Sequence, residues 1–247
     1  MPNRFQTDIV SHRGGTFLWP ENSLEAFENS LTLEIEQAEC DVHLSADGVP
    51  VVIHDTVLQR TTEGQGLVSV LSTEALHSTR LRGGRGGTIP LLSEVAALFK
   101  GQKMQLQVEL KPDPTGRVPR ALMDRTLEEL DRAGIRQQCR IITFDAEAAA
   151  AATRLDSLAG VIWLFEHRLL MAIGAEGVIA IAKAYGFDMI ETEVAALNPE
   201  LCGRFRAAGL RLGVWGANHA ESLEKAFALG LDAVATDNPV LAARMRG

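Results

Sequence analysis

Four short stretches bring proton-transferring, cationic and metal-ligating side chains close together. They are His12-Arg13 near the start, Glu39-Cys40-Asp41, His54-Asp55, and Glu109-Leu110-Lys111. Histidine transfers protons near neutral pH, and arginine and lysine are the usual partners of phosphate and carboxylate oxygens. Residues two apart on a strand face the same side. Glu39 and Asp41 therefore point together while Cys40 points away, and Glu109 and Lys111 share a face. If both pairs face one centre, three carboxylates and an ammonium meet beside two histidines. Carboxylates crowded in this way raise one another's pKa, and a hard divalent cation relieves the repulsion. An all-oxygen set favours Mg²⁺ or Ca²⁺, whereas Zn²⁺ more often recruits histidine or cysteine.

Each group taken alone has a plainer reading. Glu39 and Asp41 can be a solvated strand end, and His12 a hydrogen-bonded histidine on a rim. Arg13 can pair with Glu21. Glu109 and Lys111 can form a structural ion pair, worth at most about 1 kcal/mol when exposed. Trp215 can be packing. His43, His77, His167 and His219 fall in helices, loops or off the expected inward faces and are read as structural. Joint placement is what argues for a site, so the elements that position these residues decide the matter.

Short β-branched or apolar runs alternate with amphipathic helical stretches. The runs predict strands at 8–12, 38–42, 105–110, 140–144, 160–164, 187–191, 211–215 and 233–236. The stretches predict helices at 22–34, 92–100, 117–133, 146–155, 175–185, 199–208, 220–229 and 239–246. Asn22 or Ser23 can cap the first helix, and Asn198-Pro199 supplies a cap followed by proline in the first turn. Gly134 and Gly209 end helices. Eight βα units in 247 residues are the arithmetic of an α/β fold, the closed (β/α)8 TIM barrel. A doubly wound sheet is the alternative, but no GxGxxG follows the first strand. Residues 42–55 predict a hairpin turning at Asp47-Gly48, taken as an extension of the second strand. Residues 56–88 are too irregular for a barrel helix and predict a small insertion, placed over the barrel mouth, within one catalytic domain spanning 1–247.

Barrel active sites lie at the C-terminal ends of the strands. Those ends carry His12-Arg13, then Glu39 and Asp41 with the hairpin returning to His54-Asp55, then Glu109 and Lys111. Further round come Glu166, Glu191, Trp215 with Asn218 beyond it, and Thr236-Asp237. The strand middles are apolar.

Composition narrows the partners. The chain is 46% hydrophobic and 23% charged with a formal net charge of −8, which argues against nucleic acid. No apolar run approaches the roughly 18 residues of a membrane span. Residues 1–8 lack the apolar segment of a secretion signal. Cys40, Cys139 and Cys202 lack CxxC spacing and read as buried thiols in a reducing compartment. The expectation is a cytoplasmic protein with no stable membrane association, for which a homo-oligomer is neither required nor excluded.

The motifs now point to a family. "HRGGTFLWPENSLEAF" resembles the opening HRG…PENT signature of glycerophosphodiester phosphodiesterases, with Ser23 in place of threonine. "ECDVHLSADGVPVVIHD" is similar to the second block, with its Glu-x-Asp and closing His-Asp. "LQRTTEGQGLVS" and "IPLLSEV" resemble the segment after it, and "VELK" the Glu-x-Lys strand. "VWGAN" and "DAVATDNP" resemble the VWTVN and TD-x-P blocks. The resemblance runs from Val10 to Pro239, is specific in its N-terminal blocks, and carries little signature between 117 and 210. Ser23, Gly216 and Ala217 depart from the pattern at positions that bear on substrate contacts.

The resemblance implies a short-insertion, cytoplasmic type of enzyme that hydrolyses glycerophosphodiesters to glycerol 3-phosphate and an alcohol. It also implies one divalent cation, Mg²⁺ or Ca²⁺, on Glu39, Asp41 and Glu109, acid–base histidines His12 and His54, and phosphate contacts from Arg13 and Lys111. Trp215 is expected at the substrate, with Glu21 and Asp55 supporting the site from beside Arg13 and His54. Rival readings are a related lipid phosphodiesterase, of the lysophospholipase D or phosphatidylinositol phospholipase C type, and a non-catalytic binder of phosphodiesters. A metal-dependent aldolase or lyase on the same barrel is more distant, with no Schiff-base signature.

Overall fold

The computed structural model describes residues 7–113 and 115–247, so the polar N-terminal stretch read above lies outside the described residues over 1–6. Its strands are β1 (Asp8–Ser11), β2 (Gln37–Leu44), β3 (Pro50–Val52), β4 (Gln105–Leu110), β5 (Cys139–Thr143), β6 (Gly160–Leu164), β7 (Met189–Glu193), β8 (Arg211–Trp215) and β9 (Ala233–Thr236). Apart from β3 they pair in parallel in the order β1-β9-β8-β7-β6-β5-β4-β2, and β1 closes the ring on β2 through Val10 opposite Gln37 and Ser11 opposite Ala38. Outside the ring run α1 (Leu24–Ser30), α2 (Thr73–His77), α3 (Leu92–Phe99), α4 (Arg120–Ala133), α5 (Ala146–Ala152), α6 (His167–Tyr185), α7 (Pro199–Ala207), α8 (Ala220–Ala228) and α9 (Pro239–Arg246). With α2 set aside, one helix follows each barrel strand. This is the (β/α)8 barrel that the alternation predicts.

The strand period sorts the side chains into two populations. Outward residues such as Ala38, Cys40, Val42, Leu106, Val108, Leu212 and Val214 join the helices in one large core. Phe27 of α1 and Phe99 of α3, both fully buried, meet there edge to face at 6.2 Å. Inward residues divide by side of the barrel. Val10, Ile142, Ile162, Leu164, Met189, Ala233 and Ala235 form an apolar plug. The wall contributed by β2 and β4 instead points Gln37, Glu39, Asp41, Gln107 and Glu109 inward, all of them buried. A lumen apolar on one side and carboxylate-rich on the other is what this alternation writes into the sequence.

Several boundaries differ from expectation. β1 ends at Ser11 because His12–Gly14 turns sharply, with Arg13 at φ 50° and Gly14 at φ 81°. A Cβ on Gly14 would come within 2.6 Å of Ala26 Cβ, so only glycine lets this turn close on α1. Helix α1 starts later and ends sooner than 22–34. Ser23, not Asn22, caps it by accepting the Ala26 N–H at 3.0 Å, and bonds from Thr32 to Asn29 and from Leu33 to Ser30 tighten its exit. Strand β7 lies two residues later than 187–191. Helix α6 begins at His167, ahead of the predicted 175, with a break at Gly174 (φ 67°).

The hairpin forms as predicted. Leu44 faces Pro50 and Val42 faces Val52, with Gly48 N–H on Ser45 O at 3.0 Å across the turn. Ile53 N–H then donates to Asp41 O at 3.0 Å, which delivers His54 to the mouth beside Asp41. The segment after it builds its own small core from Val51, Ile53, Leu58, Val68, Leu76, Leu81 and Ile89. It packs against the hairpin and the β1–α1 loop and, among the described residues, gives no side chain between 56 and 88 to the central cavity. It is therefore a flanking buttress, not the cover over the mouth that its position in sequence suggests.

Candidate active site

At the C-terminal mouth a cavity of about 560 Å³ is lined on one side by His12, Arg13, Glu39, His54, Gln107, Glu109 and Lys111, and on the other by Ile142, Phe144, Leu164, Glu191, Trp215 and Ala235. Asp41, fully buried, lies just behind the first group.

The acidic trio is held tightly. One ligand oxygen each from Glu39, Asp41 and Glu109 lies within 4.8 Å of the others. Lys111 Nζ donates to Glu109 Oε1 at 2.7 Å and lies 3.4 Å from Asp41 Oδ1. The Arg13 N–H donates to Glu39 Oε2 at 2.9 Å, and its Nε lies 3.2 Å from Asp41 Oδ2. Asn22, at φ 56°, turns its amide inward, where Nδ2 donates to Asp41 Oδ2 at 2.8 Å. Glu39 Oε1 and Asp41 Oδ1 nonetheless remain buried without a hydrogen-bond partner. Burial, then the charges of Asp41 and Glu109, push the Glu39 carboxyl well above its usual range. Burial would do the same to Asp41, but Lys111 and Arg13 hold it well below. Burial likewise works against the Lys111 ammonium, and Asp41 and Glu109 overcome it, keeping that group charged. Two buried carboxylate oxygens without a hydrogen bond, one of them facing the Lys111 ammonium at 3.4 Å, leave coordination capacity for a cation.

The histidines stand beside the trio. His12 Nδ1 lies 2.7 Å from Asp237 Oδ1, and its Nε2 is 4.0 Å from Glu39 Oε2. Asp237 is itself fixed by Asn218, whose Oδ1 accepts the Asp237 N–H at 2.8 Å. His54 Nδ1 lies 2.7 Å from Asp55 Oδ1. A carboxylate at Nδ1 selects the tautomer protonated there and leaves Nε2 free to accept a proton. Burial, only partly offset by Asp41, lowers the His54 pKa and favours that neutral form. Arg60 ties both sides together. It bonds Asp55 Oδ2 through Nε at 2.6 Å and Glu21 Oε2 through Nη1 at 2.6 Å, and Glu21 in turn meets Arg13 Nη1 at 3.2 Å. Hydrogen bonds from Arg60 hold the Asp55 carboxyl down at about 2.

The remaining sequence-selected residues divide. Trp215 lines the cavity and packs edge-on against Phe144 at 5.4 Å. Glu166 stays outside, paired with Arg168. His43 is buried next to the site, with Nε2 3.0 Å from the His54 carbonyl; His77, His167 and His219 do not line the cavity.

Residues 12–241 match the sequence profile of the Glycerophosphoryl diester phosphodiesterase family. The chain belongs to that family. It is 25% identical over 243 residues, 95% of each chain, to a glycerophosphodiester phosphodiesterase of Caldanaerobacter subterraneus subsp. tengcongensis. To the enzyme of that name from Bacillus altitudinis it is 29% identical, over 97% of this chain and 98% of the relative. A crystal structure from Agrobacterium tumefaciens, described as that of a "putative glycerophosphoryl diester phosphodiesterase", superposes with a TM-score of 0.94 at 27% identity, over 98% of this chain and 97% of that one. A phosphodiesterase of Oleispira antarctica, solved with its product sn-glycerol-3-phosphate, shares the fold with a TM-score of 0.84 at 24% identity, over 97% and 96% of the two chains. Family membership makes the chain a phosphoric diester hydrolase.

Glu191 carries a separate signature. It is 3% exposed, and burial, then the charge of Glu109, raise its pKa from the ordinary 4.5 to about 8. Between those values the unfolded chain has lost this proton and the native chain keeps it. The carboxyl therefore makes the fold less stable as pH rises from about 4.5 to 8, and adds no slope outside that window. Glu191→Gln is expected to remove this part of the decline in melts at pH 5, 6.5 and 8 with chelator present. Identical pH slopes in both proteins would show that Glu191 ionises normally.

Proposed function

We propose that this chain is a cytoplasmic enzyme that hydrolyses glycerophosphodiesters to sn-glycerol 3-phosphate and an alcohol, with His12 and His54 as the proton-transfer pair. The observation that carries the reading is the buried trio Glu39, Asp41 and Glu109, in which Glu39 Oε1 and Asp41 Oδ1 accept no hydrogen bond, set beside two carboxylate-anchored histidines. This all-oxygen set fits a hard divalent ion, Mg²⁺ or Ca²⁺. When bound by Glu39, Asp41 and Glu109, such an ion supplies positive charge to the phosphate oxygens.

The chain's own groups do the rest. Lys111 lines the cavity and offers its ammonium to a phosphodiester. Arg13 lines it too, although its guanidinium is shared with Asp41 and Glu21. One histidine takes the proton of the glycerol 2-hydroxyl through Nε2 as that oxygen bonds to phosphorus. The other gives a proton to the departing alcohol oxygen as its bond to phosphorus breaks. The resulting cyclic phosphate is opened by water with the two roles exchanged, as microscopic reversal of the first step allows. Asp237 and Asp55 hold the rings and stabilise each imidazolium as it forms. The product complex of the Oleispira antarctica relative supports glycerol 3-phosphate as the product.

Among the described residues no helix is long and apolar enough to cross a membrane. The decisive measurement is release of glycerol 3-phosphate from glycerophosphocholine, glycerophosphoethanolamine, glycerophosphoglycerol and glycerophosphoinositol, with Mg²⁺ and Ca²⁺ supplied separately. Lysophosphatidylcholine serves as the lipid arm. At least one water-soluble diester is expected to turn over only when a cation is supplied. A protein that cleaves none of them, or only the lysolipid, overturns the reading.

A further inference from the structure

The cavity is lined by two polar side chains whose free oxygens the mechanism above does not use, Glu191 on its apolar side and Gln107 on the facing β4 wall. Glu191 projects inward from β7, level with Gly213 of β8 and Leu164 of β6. Its side chain lies across Gly213, where a Cβ would sit 2.8 Å from Glu191 Oε2 and 3.2 Å from its Cγ. Glycine on β8 thus makes the slot in which this carboxyl lies. Glu191 Oε2 is buried and has no hydrogen-bond partner.

The second atom is Gln107 Oε1, also buried without a partner, on a side chain that is fully buried and lines the same cavity. Its orientation is fixed from below. Gln37 Nε2 donates to Asp8 Oδ2 at 2.7 Å, which turns Gln37 Oε1 upward to accept from Gln107 Nε2 at 2.9 Å. A carboxylate can only accept, so each amide in the chain has its direction set. The last member keeps a carbonyl oxygen free of any hydrogen bond, on a side chain that lines the cavity.

Two unsatisfied buried polar atoms, on side chains that line one cavity together with Ile142, Leu164 and Ala235, are costly when nothing enters that cavity, and well matched to a ligand bearing a hydroxyl. Glycerol is the small part shared by every glycerophosphodiester. The deeper, enclosed half of the cavity suits a fixed three-carbon unit, while the variable alcohol must leave past the exposed edge of Phe144, which is 38% accessible. The 2-hydroxyl is taken by the reaction at phosphorus, so the terminal hydroxyl is the one free to reach the far wall.

We propose that Gln107 and Glu191 recognise the terminal hydroxyl of the substrate's glycerol, so that diesters lacking this hydroxyl are discriminated against. Gln107 Oε1 accepts the hydroxyl proton, and the hydroxyl oxygen accepts from the Glu191 carboxyl in its neutral form. The raised pKa of Glu191 fits that neutral form at pH 7. The proposal rests on the hydrolase reading and adds to it the origin of glycerol selectivity.

The test compares glycerophosphocholine with its 1-deoxy counterpart, the phosphocholine ester of propane-1,2-diol, which keeps the attacking 2-hydroxyl. Wild-type enzyme is expected to favour the glycerol compound in kcat/KM by about tenfold or more, the size of one good hydrogen bond. Glu191→Leu brings that ratio to within about twofold, chiefly through KM, and Glu191→Gln retains most of it because an amide can still donate. Glu191→Met repeats the apolar change with an unbranched chain, should the leucine variant fold poorly. Calorimetric binding of glycerol 3-phosphate and 1-deoxyglycerol 3-phosphate should show the same loss of discrimination. Removing an unpaired buried carboxyl also raises Tm by about 2 °C or more, a gain in stability with a loss of selectivity that a structural role would not produce. An unchanged substrate ratio in Glu191→Leu and Glu191→Met, with wild-type turnover intact, overturns this proposal alone. Absence of wild-type turnover on both diesters overturns it together with the hydrolase reading.

Discussion

Alanine at His12 or at His54 is expected to lower kcat by about 10²-fold or more, the lower end of what a positioned acid or base contributes. Each ring has its Nδ1 on a carboxylate, Asp237 or Asp55 at 2.7 Å, so each offers Nε2 towards one cavity. Two such groups can act on opposite sides of a phosphorus atom, one removing a proton as the other supplies one. They form a unit, and the double variant should be far less damaged than the product of the single effects. Neither ring is core: the side chains are 21% and 30% exposed, so loss of activity should come without loss of the fold. Single-turnover rates with saturating cation, together with melting curves, separate these outcomes. A folded, cation-loaded His12→Ala protein with near-normal kcat would remove the two-histidine mechanism.

How much of this was readable from the sequence depends on the range of each interaction. Glu39, Asp41, Glu109 and Lys111 were legible because strand alternation is a local rule, and the lumen follows it. His54 was legible because an Asp-Gly turn in a short hairpin fixes where the chain returns. Asp237 was visible only as a strand end. Its pairing with His12 spans 225 residues and exists because β1 closes on β9, which no local pattern announces. Asn22 and Ser23 both read as caps from their place before a helix; Ser23 takes that role, and nothing local announces that Asn22 turns to Asp41 instead. Arg60 lies in a stretch that the sequence marks only as irregular, and its importance comes from reaching both Glu21 and Asp55. The strained backbone at Arg13 is likewise a product of the site. Its N–H meets Glu39 and its guanidinium meets Asp41, so the turn is set by partners on β2. Propensity placed the elements, and long-range pairing decided which polar ends met.

The acidic trio yields the second large effect, and it can be read without any substrate. Glu39 is buried beside Asp41 and Glu109, with its Oε1 unpartnered and its carboxyl pushed well above the usual range by burial and by those two charges. In cation-free protein this arrangement is repulsive, so Glu39→Gln should raise Tm, since an amide can still accept the Arg13 N–H through its oxygen. With Mg²⁺ or Ca²⁺ present the order should invert. A ligand at about 100 times its Kd stabilises by about 2.7 kcal/mol, which for a chain of this size is a rise of about 5 °C or more in Tm. Wild-type protein should show that rise and Glu39→Gln should lose most of it, with calorimetric binding weakened in parallel. Chelation of the wild type should abolish turnover, and restored cation should return it. The carboxylate assignment fails if Glu39→Gln keeps the full cation-induced rise. The requirement for a cation in catalysis fails if activity survives an excess of chelator.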